Sequence, residues 1–237
     1  MRYLFWGVMS LLAVACTAAP LGVCLTDGSS ETQRVVKTKT RLEAQTKNAT
    51  IKVMTYKDDG IAMGTGTMFK YEGHNIVITA AHVLGGPPYL AAVLGDEDYV
   101  MAEVVYLDRE ADIAVMITPE LPGVKPMHLK KRTSEVKIGE DTIYSGFPND
   151  DIELTIRGYV SAIRSNGDMY LHSYAWPGAS GASVFDKQGR LVGILSAIGV
   201  GTGIVGVPTA IEDVVLVVSI EKLDFNLLDL NLKELDK

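Results

Sequence analysis

From Ala49 onward, short apolar runs alternate with turn-forming residues at a spacing of roughly ten residues, the pattern of a chain built from many short β-strands. It predicts strands over Thr50–Tyr56, Ile61–Tyr71, Asn75–Thr79, Tyr89–Leu94, Tyr99–Asp108 and Ala114–Thr118. A joint rich in proline (Pro119, Pro122, Pro126) interrupts the pattern, because proline lacks the N–H that a ladder needs. The pattern resumes over Asp141–Phe147, Leu154–Ile163, Met169–Ser173, Ser183–Asp186, Leu191–Ala197 and Gly203–Pro208. Only a single turn at Ala81–Leu84 and an end segment at Thr209–Ile220 read as helical. Six strands on each side of a boundary near residues 119–133 predict an all-β protein of two packed six-stranded antiparallel β-barrels with a short C-terminal helix. The domain is expected over 48–220, with one barrel at 48–125, the other at 133–220, and a tail at 221–237.

The first residues follow a different rule. Arg2 precedes an apolar run from Tyr3 to Ala15 that ends in small residues before Cys16, which suits an export signal. Leu12-Ala13-Val14-Ala15-Cys16 resembles a bacterial lipoprotein box with Cys16 as the lipidated residue, and Ala13-Val14-Ala15 equally suits cleavage without a lipid. A retained anchor is the third reading, since no charge occurs from Tyr3 to Thr26 and a stretch of that length can span a bilayer. The basic residues Arg34, Lys37, Lys39 and Arg41 that follow oppose an orientation with the N-terminus inside. Residues 1–26 are therefore read as a signal or a lipid or membrane anchor, and the polar, charge-mixed residues 27–47 as a flexible linker. All three readings export the domain, whether tethered to a membrane, periplasmic or secreted.

Composition narrows the classes of function. An apolar fraction of 47% is ample for a core. Both cysteines, Cys16 and Cys24, lie before the domain, so no disulfide supports it. A net charge of −7 argues against nucleic acid as a partner, because phosphate binding needs a basic surface.

The chemistry is concentrated in three short segments. In Pro177-Gly178-Ala179-Ser180-Gly181-Ala182 a serine sits between glycines on a tight turn. There its oxygen can be exposed, and the N–H groups of Gly178 and Ser180 can converge as oxyanion donors. Ser173, Ser183 and Ser196 lack that frame. Serine needs a base to take its proton. Of the four histidines, His82 stands at a strand-to-turn junction among small neighbours, Ala80 and Ala81. His74 lies in a polar turn, and His128 and His172 lack comparable surroundings. Asp112 opens the apolar run Ile113–Ile117, where an unpaired carboxylate is costly, so it needs a partner that His82 can supply. Asp108 and Glu110 read as surface groups of the preceding turn. The elbow of the α/β-hydrolases does not fit: Ala182 stands where it needs glycine, strands and helices do not alternate, and the order is His, Asp, Ser. The acidic run Asp96-Glu97-Asp98 lacks the spaced oxygens of a calcium loop. No Cys/His metal spacing or phosphate-binding glycine loop occurs, so neither metal nor cofactor is expected.

Taken together, Gly64-Thr65-Gly66-Thr67-Met68, Ile78-Thr79-Ala80-Ala81-His82-Val83, Ala111-Asp112-Ile113-Ala114-Val115, Gly146-Phe147-Pro148, the Ser180 turn, Gly189–Ile194 and Gly206-Val207-Pro208 resemble trypsin-like serine proteases of the chymotrypsin fold. They are most similar to the protease domain of the HtrA/Deg type, over about residues 50–218. The resemblance implies His82 as general base, Asp112 as its orienter and Ser180 as nucleophile, with Gly178 and Ser180 forming the oxyanion hole. It implies that Ser196 supports the aspartate and lines the cleft, that Tyr174, Ala197 and Ile198 shape the primary pocket, and that a substrate strand adds along Leu195–Ile198. A pocket based at Tyr174 and narrowed by Ile198 is expected to take small or medium aliphatic side chains, not Lys or Arg. Ala179 stands where trypsin-type zymogens carry an acid, Ala182 replaces a common second glycine, and no peptide-binding PDZ domain is expected after residue 220. The resemblance implies a serine endopeptidase acting on protein or peptide substrates. The alternative is an inactive homologue that binds peptides or partners.

Overall fold

The computed structural model describes residues 38–57, 60–85, 90–94, 99–150, 152–202 and 208–237. The expected signal with Cys16, the run Asp96-Glu97-Asp98 and residues 203–207 lie outside them. The first barrel comprises β1 (Thr50–Lys57), β2 (Gly60–Tyr71), β3 (His74–Thr79), β4 (Leu90–Leu94), β5 (Tyr99–Asp108) and β6 (Ile113–Ile117). They run in the order β1-β4-β5-β6-β3-β2, and antiparallel pairing of β1 with β2 closes the ring. A two-residue strand after the proline-rich joint, β7 (Met127–His128), lies parallel to β2. The second barrel is closed in the order β10-β13-β12-β11-β8-β9, from β8 (Asp141–Gly146), β9 (Leu154–Ile163), β10 (Met169–His172), β11 (Ser183–Asp186), β12 (Leu191–Thr202) and β13 (Pro208–Ser219).

The two expected barrels are present, with corrections at three places. Thr209–Ile220, expected as a helix, is the body of β13. Its Val214–Val218 run carries branched side chains that suit a pleated surface better than a helix. The C-terminal helix lies instead in the expected tail, as α2 (Phe225–Leu235), with Asp224 as its N-cap and Leu228 and Leu232 buried one turn apart. The end of the expected flexible linker is also helical. Helix α1 (Arg41–Ala49) starts at a capping box in which the Thr40 hydroxyl accepts the Glu43 N–H and the Glu43 carboxylate accepts the Thr40 N–H.

The barrels share their packing. One apolar cluster fills the first barrel with Ile51, Val53, Phe69, Ile76, Ile78 and Val115 and continues into Ile143, Phe185, Leu191 and Ile194 of the second. The rings of Phe69 and Phe185 lie 6.0 Å apart across the seam. A separate cluster around Tyr144, Val160, Leu171, Val184 and Leu195 fills the second barrel. The helices cross-strap the pair. Ahead of the first barrel, α1 reaches the second through Glu43–Arg157 (2.9 Å) and Lys47–Glu153 (2.5 Å). After the second barrel, α2 returns to the first, where the Tyr71 hydroxyl donates to Asp229 at 2.6 Å and Asn231 donates to the Val105 carbonyl at 2.7 Å.

At the joint, the Arg132 guanidinium, 7% exposed, bonds the carboxylates of Glu140 (2.7 Å) and buried Asp186 (3.1 Å), and Arg190 adds a further bond to Asp186 at 2.7 Å. Breaking a buried ionic group on one side leaves the other side's charge uncompensated. Arg132→Met is expected to cost about 3 kcal/mol in urea unfolding, and a loss under about 1 kcal/mol would show the network to be energetically idle.

Candidate active site

The site is assembled from four chain segments that meet where the barrels touch. The first is the turn before β6. There the Asp108 carboxylate accepts the N–H groups of Glu110 (2.9 Å) and Ala111 (2.8 Å), so Asp108 is a turn-former and not the plain surface group expected. The turn delivers Asp112 in the left-handed region, at φ 55°, a conformation that a non-glycine residue keeps only when its surroundings over-determine it.

Those surroundings are evident at the carboxylate. Asp112 Oδ1 accepts the backbone N–H of His82 at 2.9 Å, the His82 Nδ1 lies 2.9 Å from Oδ2, and the Ser196 hydroxyl donates to Oδ2 at 2.5 Å. Burial pushes the Asp112 carboxyl up, but the hydrogen bonds from His82 and Ser196 outweigh it and hold the group below the usual aspartate range. An ionised carboxylate can only accept, so the Nδ1 that faces Asp112 carries a proton, and Nε2 is the ring nitrogen on the side away from the carboxylate. The second segment is the single 3₁₀ turn Ala81–Val83 after β3, which carries His82. Arg109 clamps it, with its guanidinium donating to the carbonyls of Ala81 (3.3 Å) and Gly85 (2.8 Å).

The third segment is the Ser180 turn, fixed by bonds to both barrels. Its Gly178 carbonyl accepts the Thr65 hydroxyl at 2.7 Å, and its Ser180 carbonyl accepts the Thr65 N–H at 2.7 Å. The Gly181 N–H donates to the Leu195 carbonyl at 2.7 Å, and the Leu195 N–H donates to Ala182 at 2.9 Å. Gly181 lies at φ 92°, and a Cβ there would meet the Thr65 carbonyl at 2.1 Å, so only glycine fits. The N–H groups of Gly178 and Ser180 donate to no other group among the described residues. Ala179 and Ala182 are fully buried in the second core, so the extra methyl of Ala182 packs without disturbing the turn.

The fourth segment is β12, the wall of the cleft. The Ser180 hydroxyl donates to the Ser196 carbonyl at 3.4 Å. Leu195 spends both its backbone groups on the Ser180 turn, so its own backbone is not open to a further strand. Ala197 is exposed beside it. Tyr174 is 47% exposed, with its carbonyl held by the hydroxyl of buried Tyr144. The side chain of Ile198 lies outside the described residues.

The structure thus brings His82, Asp112, Ser180 and Ser196 into one linked array. The other histidines are elsewhere: His74 lies 3.4 Å from Asp236 rather than in a solvated turn, and His172 packs against Tyr159 in a tilted pair with ring centroids 5.1 Å apart. Thr65 and Arg109, which no local sequence signal marks, are structural partners of the array. Among the described residues no group of three His, Cys, Asp or Glu side chains is placed to hold a metal ion.

A two-barrel fold with a His–Asp–Ser array in its seam defines the class, and the comparisons agree. The family model described as "Trypsin-like peptidase domain" matches residues 64–194, more than half of the chain. The chain belongs to that family. It is 28% identical over 155 residues to a "Serine protease HtrA-like" of Staphylococcus epidermidis, covering 56% of this chain and 26% of that protein. It is 30% identical over 144 residues to a "Probable periplasmic serine endoprotease DegP-like" of Hahella chejuensis, covering 58% of this chain and 30% of that one. The chain therefore spans under a third of the length of these relatives. Among solved structures, a serine endoprotease from Yersinia pestis is similar with a TM-score of 0.64 at 16% identity, covering 83% of this chain and 68% of that one. The active form of an M. tuberculosis protease is similar with a TM-score of 0.62 at 19% identity, covering 77% and 80%. At these identities they support the fold.

A carboxylate held below its unfolded value stabilises the folded state above that value, and the contribution fades as pH falls through the folded value. A carboxyl-carbon NMR titration is expected to place the Asp112 midpoint below the usual aspartate range and to raise it in Ser196→Ala. An unshifted midpoint in that variant would show the Ser196 bond to be incidental.

Proposed function

We propose that the domain is a serine endopeptidase acting through His82, Asp112 and Ser180. The observation that carries this reading is the continuous link from Asp112 to both His82 and Ser196 and from Ser196 to Ser180. It couples an imidazole held through its Nδ1 by a carboxylate to the one serine set on a glycine-framed turn. In the resting arrangement the Ser180 proton points at the Ser196 carbonyl, across a long bond. A peptide strand adding beside Ser196 offers its own N–H to that carbonyl, and the hydroxyl is then released to turn toward Nε2 of His82.

The reaction follows from these placements. His82 takes the Ser180 proton as Oγ attacks the scissile carbonyl. The resulting imidazolium is stabilised by Asp112, and the oxyanion is received by the N–H groups of Gly178 and Ser180. The proton then passes to the leaving amine, giving an acyl-enzyme, and a water activated by the same imidazole releases the acid. The primary pocket takes small or medium aliphatic side chains, because the position that would select a basic residue is Tyr174. No cofactor or metal is required for this chemistry.

The domain works outside the cytoplasm, tethered through a lipid on Cys16 or an apolar anchor, or released by cleavage. The export pattern of the first residues supports this, as does the similarity to a relative described as periplasmic. Among the described residues no helix is long and apolar enough to cross a membrane.

A fluorophosphonate probe is expected to label the protein, and Ser180→Ala to abolish labelling and lower peptide hydrolysis by a factor of about 10³ or more. Well-folded wild-type protein that resists the probe would leave a peptide-binding module as the reading. For the pocket, a peptide-library cleavage profile should be dominated by aliphatic residues before the cut. A profile led by Lys or Arg would reject the pocket as described.

A further inference from the structure

We propose that the cleft between the start of α1 and the end of the second barrel is a binding site for an acidic peptide segment, separate from the catalytic seam. The cleft measures about 570 Å³, within the range of sites that take a ligand of a few residues. Leu42, Met127 and Ile143 give it an apolar floor. Around that floor stand Arg41, Lys130 and Lys187, none of which makes an ion pair among the described residues. A fourth cation, Arg157, is already held by Glu43, and Asp141 is the one acidic group of the lining. In a chain of net charge −7, a cluster of unpaired cations around one cleft runs against the average surface.

The backbone adds donors. The capping box uses the N–H groups of Thr40 and Glu43, whereas those of Arg41 and Leu42 have no acceptor among the described residues and emerge at the positive end of the helix dipole. A small anion such as phosphate would leave the apolar floor wet. A nucleic acid would meet the repulsion of an acidic protein beyond the cleft. A peptide that alternates carboxylates with apolar side chains satisfies both floor and rim.

The cleft is connected to the catalytic turn by two strands. From the cleft at Asp141–Ile143, β8 runs to Gly146, whose backbone lies against Ala179 beside Ser180. From Ser183, β11 runs the other way to the Lys187–Gly189 hairpin on the cleft rim. At about 3.3 Å per residue, four to five residues separate the two sites by roughly 15 Å, so one polypeptide can occupy both. Use of the cleft to capture acidic substrates rests on the peptidase reading, but binding itself does not.

The test uses the full chain in neutral detergent with Ser180→Ala, and follows fluorescence polarisation of a labelled Glu-Leu-Asp-Leu-Glu peptide. Binding is expected, with Gln-Leu-Asn-Leu-Gln failing to bind. Lys130→Gln with Lys187→Gln should weaken it about tenfold, and Lys233→Gln on α2 should leave it unchanged. Equal binding of the neutral peptide, no effect of the paired lysine change in a protein of unchanged circular dichroism, or displacement of the probe by inorganic phosphate at equal concentration would each overturn the proposal. So would loss of binding in wild-type protein carrying a fluorophosphonate on Ser180, which would put the peptide in the catalytic seam. If wild-type protein takes no fluorophosphonate, the peptidase reading fails while the lysine comparison still decides the cleft.

Discussion

Thr65 belongs to the first barrel, yet nearly all its polar capacity is spent on the Ser180 turn and its surroundings. Its N–H and hydroxyl donate to the Ser180 and Gly178 carbonyls, its hydroxyl accepts the Phe147 N–H at 3.1 Å, and its own carbonyl accepts the hydroxyl of Thr79 at 2.7 Å. The residue is fully buried, so its N–H and hydroxyl would lose their partners in the second barrel if the two shifted apart, which is costly for buried polar groups. The nucleophile therefore owes its position to the partner barrel as much as to its own. That dependence explains why the strand carrying Thr65 must approach so closely that Gly181 admits no side chain.

The same logic governs the other half of the array. Asp112 and His82 come from the first barrel, Ser180 and Ser196 from the second, and the Asp112 carboxylate is the group where the two halves bond. A seam that must hold a carboxylate, a ring and a hydroxyl in register cannot slide. The shared apolar cluster and the exchange of α1 and α2 between barrels supply the rigidity. The strained backbone of Asp112 is affordable because the Asp108 turn and three bonds to its carboxylate all favour the same geometry.

The array was legible in the sequence where chemistry and local backbone demand coincide. Glycines frame Ser180, small residues surround His82, and Asp112 opens a run too apolar for a lone charge. Thr65 was legible only as part of a resemblance, because its role depends on partners more than a hundred residues away. The two helices carried readable signals: Thr40 with Glu43 three residues on, and Asp224 followed by leucines at helical spacing. The first lies in a polar, charge-mixed stretch and the second follows a long apolar run, and in each case the surroundings mask the helix signal. In β13, Glu212 and Asp213 interrupt the apolar alternation that marks a strand. The structure resolves this by setting Asp213 at φ 62° before the strand continues through Val214–Val218, a local irregularity that composition does not announce.

The two alanines of the Ser180 turn complete the physical picture. Ala179 and Ala182 point into the core of the second barrel, among Val184, Val192 and Leu195. An acid at position 179 would need a buried cation to offset its desolvation, and the apolar neighbours of Ala179 in that core offer none. The turn is instead held from outside by Thr65 and from beneath by close-packed methyl groups. Its shape is thus set by burial and neutral hydrogen bonds, while the ionised carboxylate of Asp112 sits across the seam, bonded to His82 and Ser196.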